Sequence, residues 1–261
     1  MEWAAKSDVG LVRKTNEDSF LVRIQDGKQS IAIVADGMGG HQGGKIASKI
    51  TVETILEGID QFYPEDRDQI YEIDSTVAIK RAVKFANQRV YDTAQEDKQL
   101  AGMGTTVVIA LLNAEQVEIA HVGDSRAYII SKNGLTQITD DHSLVNELLA
   151  QGKITEEEAI HHPQRNMITR ALGTSASVII DIAKHVWEYE DILLLCSDGL
   201  SESISSEVIL QTFYEGHSLE DAVNSLLEKS LQAGGKDNIT IVAIKNLSNH
   251  NDEKFIERGS N

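Results

Sequence analysis

The sequence predicts an α+β fold, most simply a β-sandwich of two antiparallel sheets flanked by helices. Four short β-type runs lie close together in the middle of the chain, and their turn-rich connections span only a few residues. Connections this short cannot hold a crossover helix, so these strands are expected to be antiparallel neighbours. Helical periodicity before and after the runs supplies covering layers, an order of elements typical of α+β proteins. The four runs are 105–112, 117–122, 127–131 and 135–138.

Two strands and two helices are predicted before this central series. Apolar runs at 18–23 and 31–35 favour strands. Apolar residues then recur on one helical face within 52–59 and again within 79–90, which predicts two amphipathic helices.

Helices and then strands are predicted after Thr139. The segment 143–151 has an apolar helical stripe, and 155–160 begins with Thr155 and Glu158 in capping-box spacing. The remaining predicted elements are strands at 178–182, 192–196 and 239–244, and helices that begin at Ser205 and Ser218, the second ending at Gly234–Gly235.

Composition limits the classes of protein that this chain can be. The 261 residues carry 41 Asp and Glu against 24 Lys and Arg, a formal net charge of -17. Nucleic acid and anionic membranes are therefore excluded as main partners, because their surfaces repel a polyanion. The one cysteine, Cys196, cannot form an intramolecular disulfide, and its apolar neighbours predict that it is buried.

The chain is expected to be one domain in the cytoplasm. No stretch approaches the roughly 18 apolar residues that span a bilayer, and the first residues lack a signal-peptide pattern. No repeat or flexible linker interrupts residues 1–247, which predicts a single domain. The tail at 248–261 is polar without apolar periodicity and is expected to be disordered.

Aspartates stand where several predicted strands begin or end. Each could be a turn residue, because Asp and Asp-Gly favour turns. If the sheets bring the strand ends together, however, the carboxylates repel one another unless cations lie among them, and Mg²⁺ or Mn²⁺ prefers such oxygen ligands. A zinc site is disfavoured, since one cysteine and eight histidines show no ligand spacing. The aspartates are Asp18, Asp36, Asp124, Asp198 and Asp237.

Six short motifs in order resemble the phosphatase 2C-type (PPM) family of metal-dependent protein serine/threonine phosphatases. The resemblance covers about residues 1–245, and it is closest to bacterial members through Asp36–His41 and Asp141–Asn146. The family fold, an α-β-β-α sandwich, agrees with the fold predicted above. The six motifs are Arg13–Phe20, Asp36–Gly44, Gly102–Thr106, Gly123–Ala127, Ser197–Leu200 and Gly235–Thr240.

The resemblance implies a metal centre built from these aspartates. Asp36 would bridge two metal ions, Mn²⁺ or Mg²⁺, with the Gly37 carbonyl as a further ligand. Asp198 and Asp237 would hold one of the ions, and Asp18 would act mostly through waters. A two-metal site lowers the pKa of a bound water, so hydroxide is available near neutral pH.

A third metal site and two catalytic side chains are also implied. Asp124 together with Asp198 would form the weaker third site of bacterial-type members. Arg13 would clamp the phosphate through its planar fork of donors. Many eukaryotic relatives have a histidine directly after the Asp-Gly, where this chain has Met38. His41 is then the candidate proton donor to the leaving group, although it could instead hydrogen-bond locally within a Gly-rich turn.

The implied function is hydrolysis of phosphoserine and phosphothreonine in proteins by direct attack of a metal-bound water. The implied partners are phosphorylated proteins and a cognate Ser/Thr protein kinase, and a monomer is expected. Residues 140–165 match a flap beside the active site, which could be a gate, a substrate platform or simple packing. Two alternatives stay open: a catalytically silent phosphoprotein-binding regulator of the same fold, and another two-metal hydrolase such as a nucleotidase.

Overall fold

Two five-stranded antiparallel sheets form the centre of the molecule, a computed structural model that describes residues 1–25, 29–39, 42–63 and 74–248. The strands are β1 (Glu2–Asp8), β2 (Ser19–Arg23), β3 (Ser30–Ala35), β4 (Gly37–Met38), β5 (Gly104–Thr105), β6 (Val107–Leu112), β7 (Gln116–Val122), β8 (Arg126–Ser131), β9 (Gly134–Gln137), β10 (Asp181–Val186), β11 (Ile192–Cys196) and β12 (Ile239–Lys245). The helices are α1 (Gly43–Phe62), α2 (Ser75–Glu96), α3 (Leu144–Ala150), α4 (Glu156–Ile160), α5 (Asp198–Ser201), α6 (Ser206–Glu215) and α7 (Leu219–Gln232).

Each sheet mixes early and late parts of the chain. Sheet I has the strand order β1-β12-β11-β8-β9, and sheet II has the order β10-β7-β6-β3-β2. All neighbouring strands in both sheets are antiparallel. The short strands β4 and β5 form a separate two-stranded ribbon.

The order of layers is helix, sheet, sheet, helix. Along β3, Ile31 and Ile33 pack with α1 and α2, while Ala32 and Val34 join a second core between the sheets. Residues of β8, β11 and β12 pack with α6 and α7 in a third core on the outer face of sheet I. The central strands of each sheet are therefore buried on both faces, and the predicted α-β-β-α sandwich is confirmed.

All six predicted helices are present, and the four that follow Thr139 begin where the sequence predicts. Ser143, Ser205 and Ser218 are N-caps, and Thr155 and Glu158 form the predicted capping box. Cys196 is free and buried, as its apolar run predicts.

Two sequence-based expectations about the strands are wrong. The runs 117–122 and 127–131 are not neighbours, because the turn at Gly123 carries the chain from β7 in sheet II to β8 in sheet I. The strand predicted at 178–182 starts later, since its pairing with β7 runs from Asp181 to Val186. Strand β1, which pairs with β12, is not among the predicted strands.

The structure leaves part of the chain's end undescribed. Residues 249–261, nearly all of the predicted tail, lie outside the described residues. Within the described ranges, no helix is both long and apolar enough to cross a bilayer.

Candidate active site

The strand ends that carry the aspartates meet at one end of the sandwich. Asp36 follows β3 of sheet II, while Asp198 and Asp237 adjoin β11 and β12 of sheet I. These three side chains and Asp124 line a cleft of about 550 Å³. Asp18 is 8% exposed and accepts a 2.8 Å hydrogen bond from Ser197 Oγ. The structure therefore brings all five predicted aspartates together.

Buried hydroxyl groups fix the segments that carry Asp36 and Asp124. The Asp36 N–H donates to Thr106 Oγ1 at 3.1 Å, and Thr105 Oγ1 donates to the Asp36 carbonyl at 2.7 Å. Thr106 Oγ1 also lies 2.7 Å from Oγ of Ser125, the residue that follows Asp124 in the sequence. The two aspartates are thus linked through a network in which every hydroxyl has a partner.

The loop that carries Arg13 is held by Asn238, a residue that the sequence analysis did not single out. Asn238 Nδ2 donates to the carbonyls of Val9 and Thr15, each at 3.0 Å, and its Oδ1 accepts the Glu17 N–H at 2.8 Å. Asn238 is 4% exposed, so these bonds stay out of water. Its place beside Asp237, within the Gly235–Thr240 motif, is the sequence signal that could have revealed it.

Arg13 lies at the edge of the carboxylate cluster. Its Nη2 donates to Asp237 Oδ2 at 2.6 Å, and 53% of its side chain is exposed. A guanidinium has five N–H donors, so this bond uses only one of them. Arg13 is therefore placed to meet an anion that enters the cleft.

Gly37 is required by close backbone packing beside Asp36. A Cβ atom at this position would lie 2.1 Å from the Gly44 carbonyl oxygen and 2.6 Å from that of Glu17. Gly37 also lines the cleft, as the predicted ligand role of its carbonyl needs. The predicted proton donor, His41, lies outside the described residues, so its role stays a prediction.

Burial and mutual repulsion favour protonated carboxyl groups in the cluster. Burial, with the negative charges of Asp124 and Asp237 beside it, raises the pKa of Asp198 to about 8. Burial likewise raises the pKa of Asp18 and of Asp124 to about 6. For Asp36 the pKa is well above its ordinary value, mainly through burial and then through the charge of Asp18.

In the presence of a chelator, thermal stability is expected to fall as the pH rises from 5 to 8. A carboxyl with a raised folded-state pKa binds protons more tightly in the folded chain, so folding loses stability as that carboxyl ionises. For Asp198 this window runs from 3.8 to about 8. Calorimetry should show a decrease in Tm on the order of 5 °C. The decrease should be smaller in Asp198→Asn, and a Tm that rises over this interval would contradict the assignment.

The cluster fits divalent cations. Asp18 Oδ1 and Asp198 Oδ1 are buried oxygens without a hydrogen-bond partner among the described residues. Buried carboxylate oxygens of this kind are normally paired, so the two orphaned atoms indicate a missing positive partner. An all-oxygen set matches the preference of Mg²⁺ and Mn²⁺.

A match to a known protein family shows which family this chain belongs to. The family model Protein phosphatase 2C matches residues 12–234. The chain belongs to the protein phosphatase 2C family. The resemblance seen in the six sequence motifs is therefore confirmed, and the α-β-β-α sandwich is the phosphatase 2C fold.

Curated and solved relatives extend over nearly the whole chain. The serine/threonine phosphatase stp of Listeria welshimeri is 36% identical over 240 residues, which cover 92% of this chain and 94% of that protein. The crystal structure of the Mycobacterium tuberculosis serine/threonine phosphatase PstP/Ppp has a TM-score of 0.80 and 35% identity, covering 93% of this chain and 97% of that chain.

A solved serine/threonine phosphatase similar to this chain is a complex with manganese. The catalytic domain of PstP in complex with two manganese ions has a TM-score of 0.78 and 34% identity, covering 93% of this chain and 96% of that chain. The metal dependence inferred from the orphaned aspartate oxygens thus agrees with a solved relative.

Proposed function

We propose that the five aspartates, the Gly37 carbonyl and Arg13 form the catalytic centre for hydrolysis of phosphoserine and phosphothreonine in proteins. The activity class follows from the family and its relatives: the protein is a protein serine/threonine phosphatase, a phosphoric monoester hydrolase that depends on Mn²⁺ or Mg²⁺. These relatives give no support to a catalytically silent regulator. The roles of individual residues are proposals, and the buried, orphaned oxygens of Asp18 and Asp198 carry them.

The proposed metal ligands divide between the two sheets. Asp36 and the Gly37 carbonyl come from the β3–β4 segment, and Asp198 and Asp237 come from the ends of β11 and β12. Asp18 would contact the metal ions mostly through water molecules. When bound, paired dications acidify water near neutral pH and neutralise charge on a phosphoryl group. A third, weaker site would use Asp124 with Asp198.

Arg13 would bind the phosphoryl oxygens of the substrate. Its exposed guanidinium stands at the cleft beside Asp237, and its planar fork matches two phosphate oxygens at once. The hydrogen bonds of Asn238 to both flanks of this loop reduce the freedom that Arg13 loses when substrate binds.

Protonation of the leaving group is the second task for side chains of this chain. The departing serine or threonine alkoxide needs a proton, and a histidine near its ordinary pKa suits that transfer. His41 is the proposed donor because it closes the Asp36–His41 motif.

The substrates and setting of the enzyme are proposed at a coarser level. Its substrates are phosphorylated proteins, and a Ser/Thr protein kinase that phosphorylates the same proteins is the proposed partner. A cytoplasmic monomer with one catalytic domain over 1–247 is proposed. The flap at 140–165 is proposed as a substrate platform, supported by Asn166 and Ile168, which follow it and line the cleft.

Metal-dependent turnover of phosphopeptides tests this function. Purified protein is titrated with Mn²⁺ against an aryl phosphate, phosphoserine and phosphothreonine peptides, and nucleotides, with a chelator control. We expect saturable, chelator-sensitive hydrolysis of the aryl phosphate and both peptides, with nucleotides turned over at least about tenfold more slowly.

Each rival predicts a different result in that assay. A silent regulator would bind phosphopeptides without hydrolysing the aryl phosphate at any Mn²⁺ concentration. A nucleotidase would prefer nucleotides to peptides. Turnover that survives chelation would contradict the metal centre itself.

A further inference from the structure

The first residues of the flap hydrogen-bond to the turn that carries Asp124. This turn, Gly123–Arg126, links β7 to β8 and so passes from sheet II to sheet I. Two consecutive residues that precede α3, Asp141 and His142, contact it on either side of Asp124. None of the roles proposed above explains why both residues should do so.

On the side before Asp124, His142 makes two hydrogen bonds to one glycine. The Gly123 N–H donates to His142 Nδ1 at 3.0 Å, and the His142 N–H donates to the Gly123 carbonyl at 2.9 Å. Gly123 has φ +107°, and an added Cβ would lie 2.6 Å from the Thr106 side chain. The residue before Asp124 is therefore fixed by its conformation, by steric contact and by both of its backbone polar groups.

On the side after Asp124, Asp141 binds Arg126 through a fork of hydrogen bonds. Arg126 Nε donates to Asp141 Oδ1 at 2.9 Å, and Arg126 Nη2 donates to Asp141 Oδ2 at 2.6 Å. Both side chains are mostly buried, with 26% and 14% exposed. A two-bond pair of this kind fixes orientation as well as distance.

The imidazole of His142 is itself oriented. Because Nδ1 accepts the Gly123 N–H, the proton of the neutral ring is on Nε2, which donates to Asp181 Oδ2 at 3.0 Å. Arg170 Nη1 donates to Asp181 Oδ1 at 2.9 Å and holds that carboxylate in place. The His121 ring stacks on the imidazole ring of His142, with the two ring centroids 4.6 Å apart.

The arrangement of His121, His142 and Asp181 is better explained by hydrogen bonding and ring stacking than by a separate metal site outside the cleft. Potential ligand atoms of His121, His142 and Asp181 do lie within 4.8 Å of one another. The two imidazole planes, however, are stacked at 17°. A ring nitrogen binds a metal in its own plane, and one ion cannot lie in two stacked planes. Both nitrogens of His142 also have partners already.

We propose that His142 is a positioning residue that holds the Gly123–Arg126 turn so that Asp124 can serve the weaker metal site. The inference rests on the proposed function of Asp124. Asp181 and Arg170 act one step further out, by orienting His142. The arrangement parallels metal sites in which outer-shell hydrogen bonds orient the ligands, and loss of such a bond weakens metal affinity about tenfold or more.

Calorimetric Mn²⁺ titration of the full-length protein tests the proposal. Asp124→Asn is expected to abolish the weaker class of sites and leave the tighter class in place. His142→Leu should weaken the weaker class by about tenfold, with the tighter class changed less than about twofold. His142→Asn should stay close to the wild type, since its amide oxygen can replace Nδ1 as acceptor for the Gly123 N–H. His161→Leu, at an exposed flap position, is the control.

A double-mutant cycle separates positioning from general destabilisation. In the Asp124→Asn background, where only the tighter class remains, His142→Leu should change the Mn²⁺ affinity of that class by less than about twofold, whereas general destabilisation would weaken it. If His142→Leu does not fold, Asp181→Asn replaces it, with an expected weakening of about threefold. Equal weakening of both classes, or failure of His142→Asn to restore affinity, would overturn the proposal. Wild-type protein without a weaker class would overturn the Asp124 role and this inference together, while leaving the paired-metal centre standing.

Discussion

Asp36→Asn and Asp198→Asn are each expected to abolish turnover while leaving the protein folded. Each substitution keeps the size of the side chain and removes a carboxyl group that must ionise to hold a cation, at a position where burial and repulsion already raise the pKa and disfavour the charged form. The loss should therefore fall on metal binding and catalysis, with the free energy of unfolding unchanged or increased in chelator. We expect kcat/KM to decrease on the order of 1,000-fold.

The measurement is aryl phosphate hydrolysis over a range of Mn²⁺ concentrations, paired with thermal unfolding in chelator. Asp92→Asn, an exposed aspartate on α2, makes the same chemical change outside the cleft and should behave as wild type. Activity within tenfold of wild type in either cleft variant would contradict the proposed centre. A large decrease in Tm would show that the carboxylate is structural instead.

Arg13→Ala is expected to decrease kcat/KM about 100-fold, which corresponds to about 2.7 kcal/mol. The variant removes the guanidinium donors from the cleft while retaining the aspartates. Because it also removes the cation that contacts Asp237, Mn²⁺ affinity should stay the same or increase. Arg13→Lys should recover only part of the activity, since an ammonium group lacks the planar fork.

Steady-state kinetics at saturating Mn²⁺ separate these effects. Lys14→Ala is the matched control, since this neighbouring cation lines the same cleft and is expected to change kcat/KM by less than about threefold. Should Arg13→Ala lose activity only through weaker Mn²⁺ binding, the phosphate-binding role would be wrong.

The layer architecture could be predicted because local patterns decide it. The apolar run before Asp36 and the helical stripes within 52–59 and 79–90 each specify their own element. Pairing between distant segments is not encoded locally. Gly123 gives no sign in the sequence that it carries the chain into the other sheet, and β1 is defined as an edge strand only by its register with β12.

The acidic residues of the site were predictable for a similar reason, whereas their supports were not. Asp36 and Asp198 adjoin strongly apolar strands, so their positions at strand ends can be seen in the sequence. Thr106, Asn238 and His142 are ordinary polar residues whose importance lies in contacts made across long sequence separations. Only the folded chain reveals those contacts.

The proposed metal ligands are divided between β3 of sheet II and β11–β12 of sheet I, so catalysis at this centre would require both sheets to be folded and packed together. Neither sheet alone holds the complete set of proposed ligands, so a chain with one sheet misfolded would not bind its metal ions. Conversely, dications held by carboxylates from both sheets would join the sheets at this end of the sandwich, adding their binding free energy to the stability of the native state. Metal binding and global unfolding would therefore be thermodynamically linked, so that each changes the apparent equilibrium constant of the other.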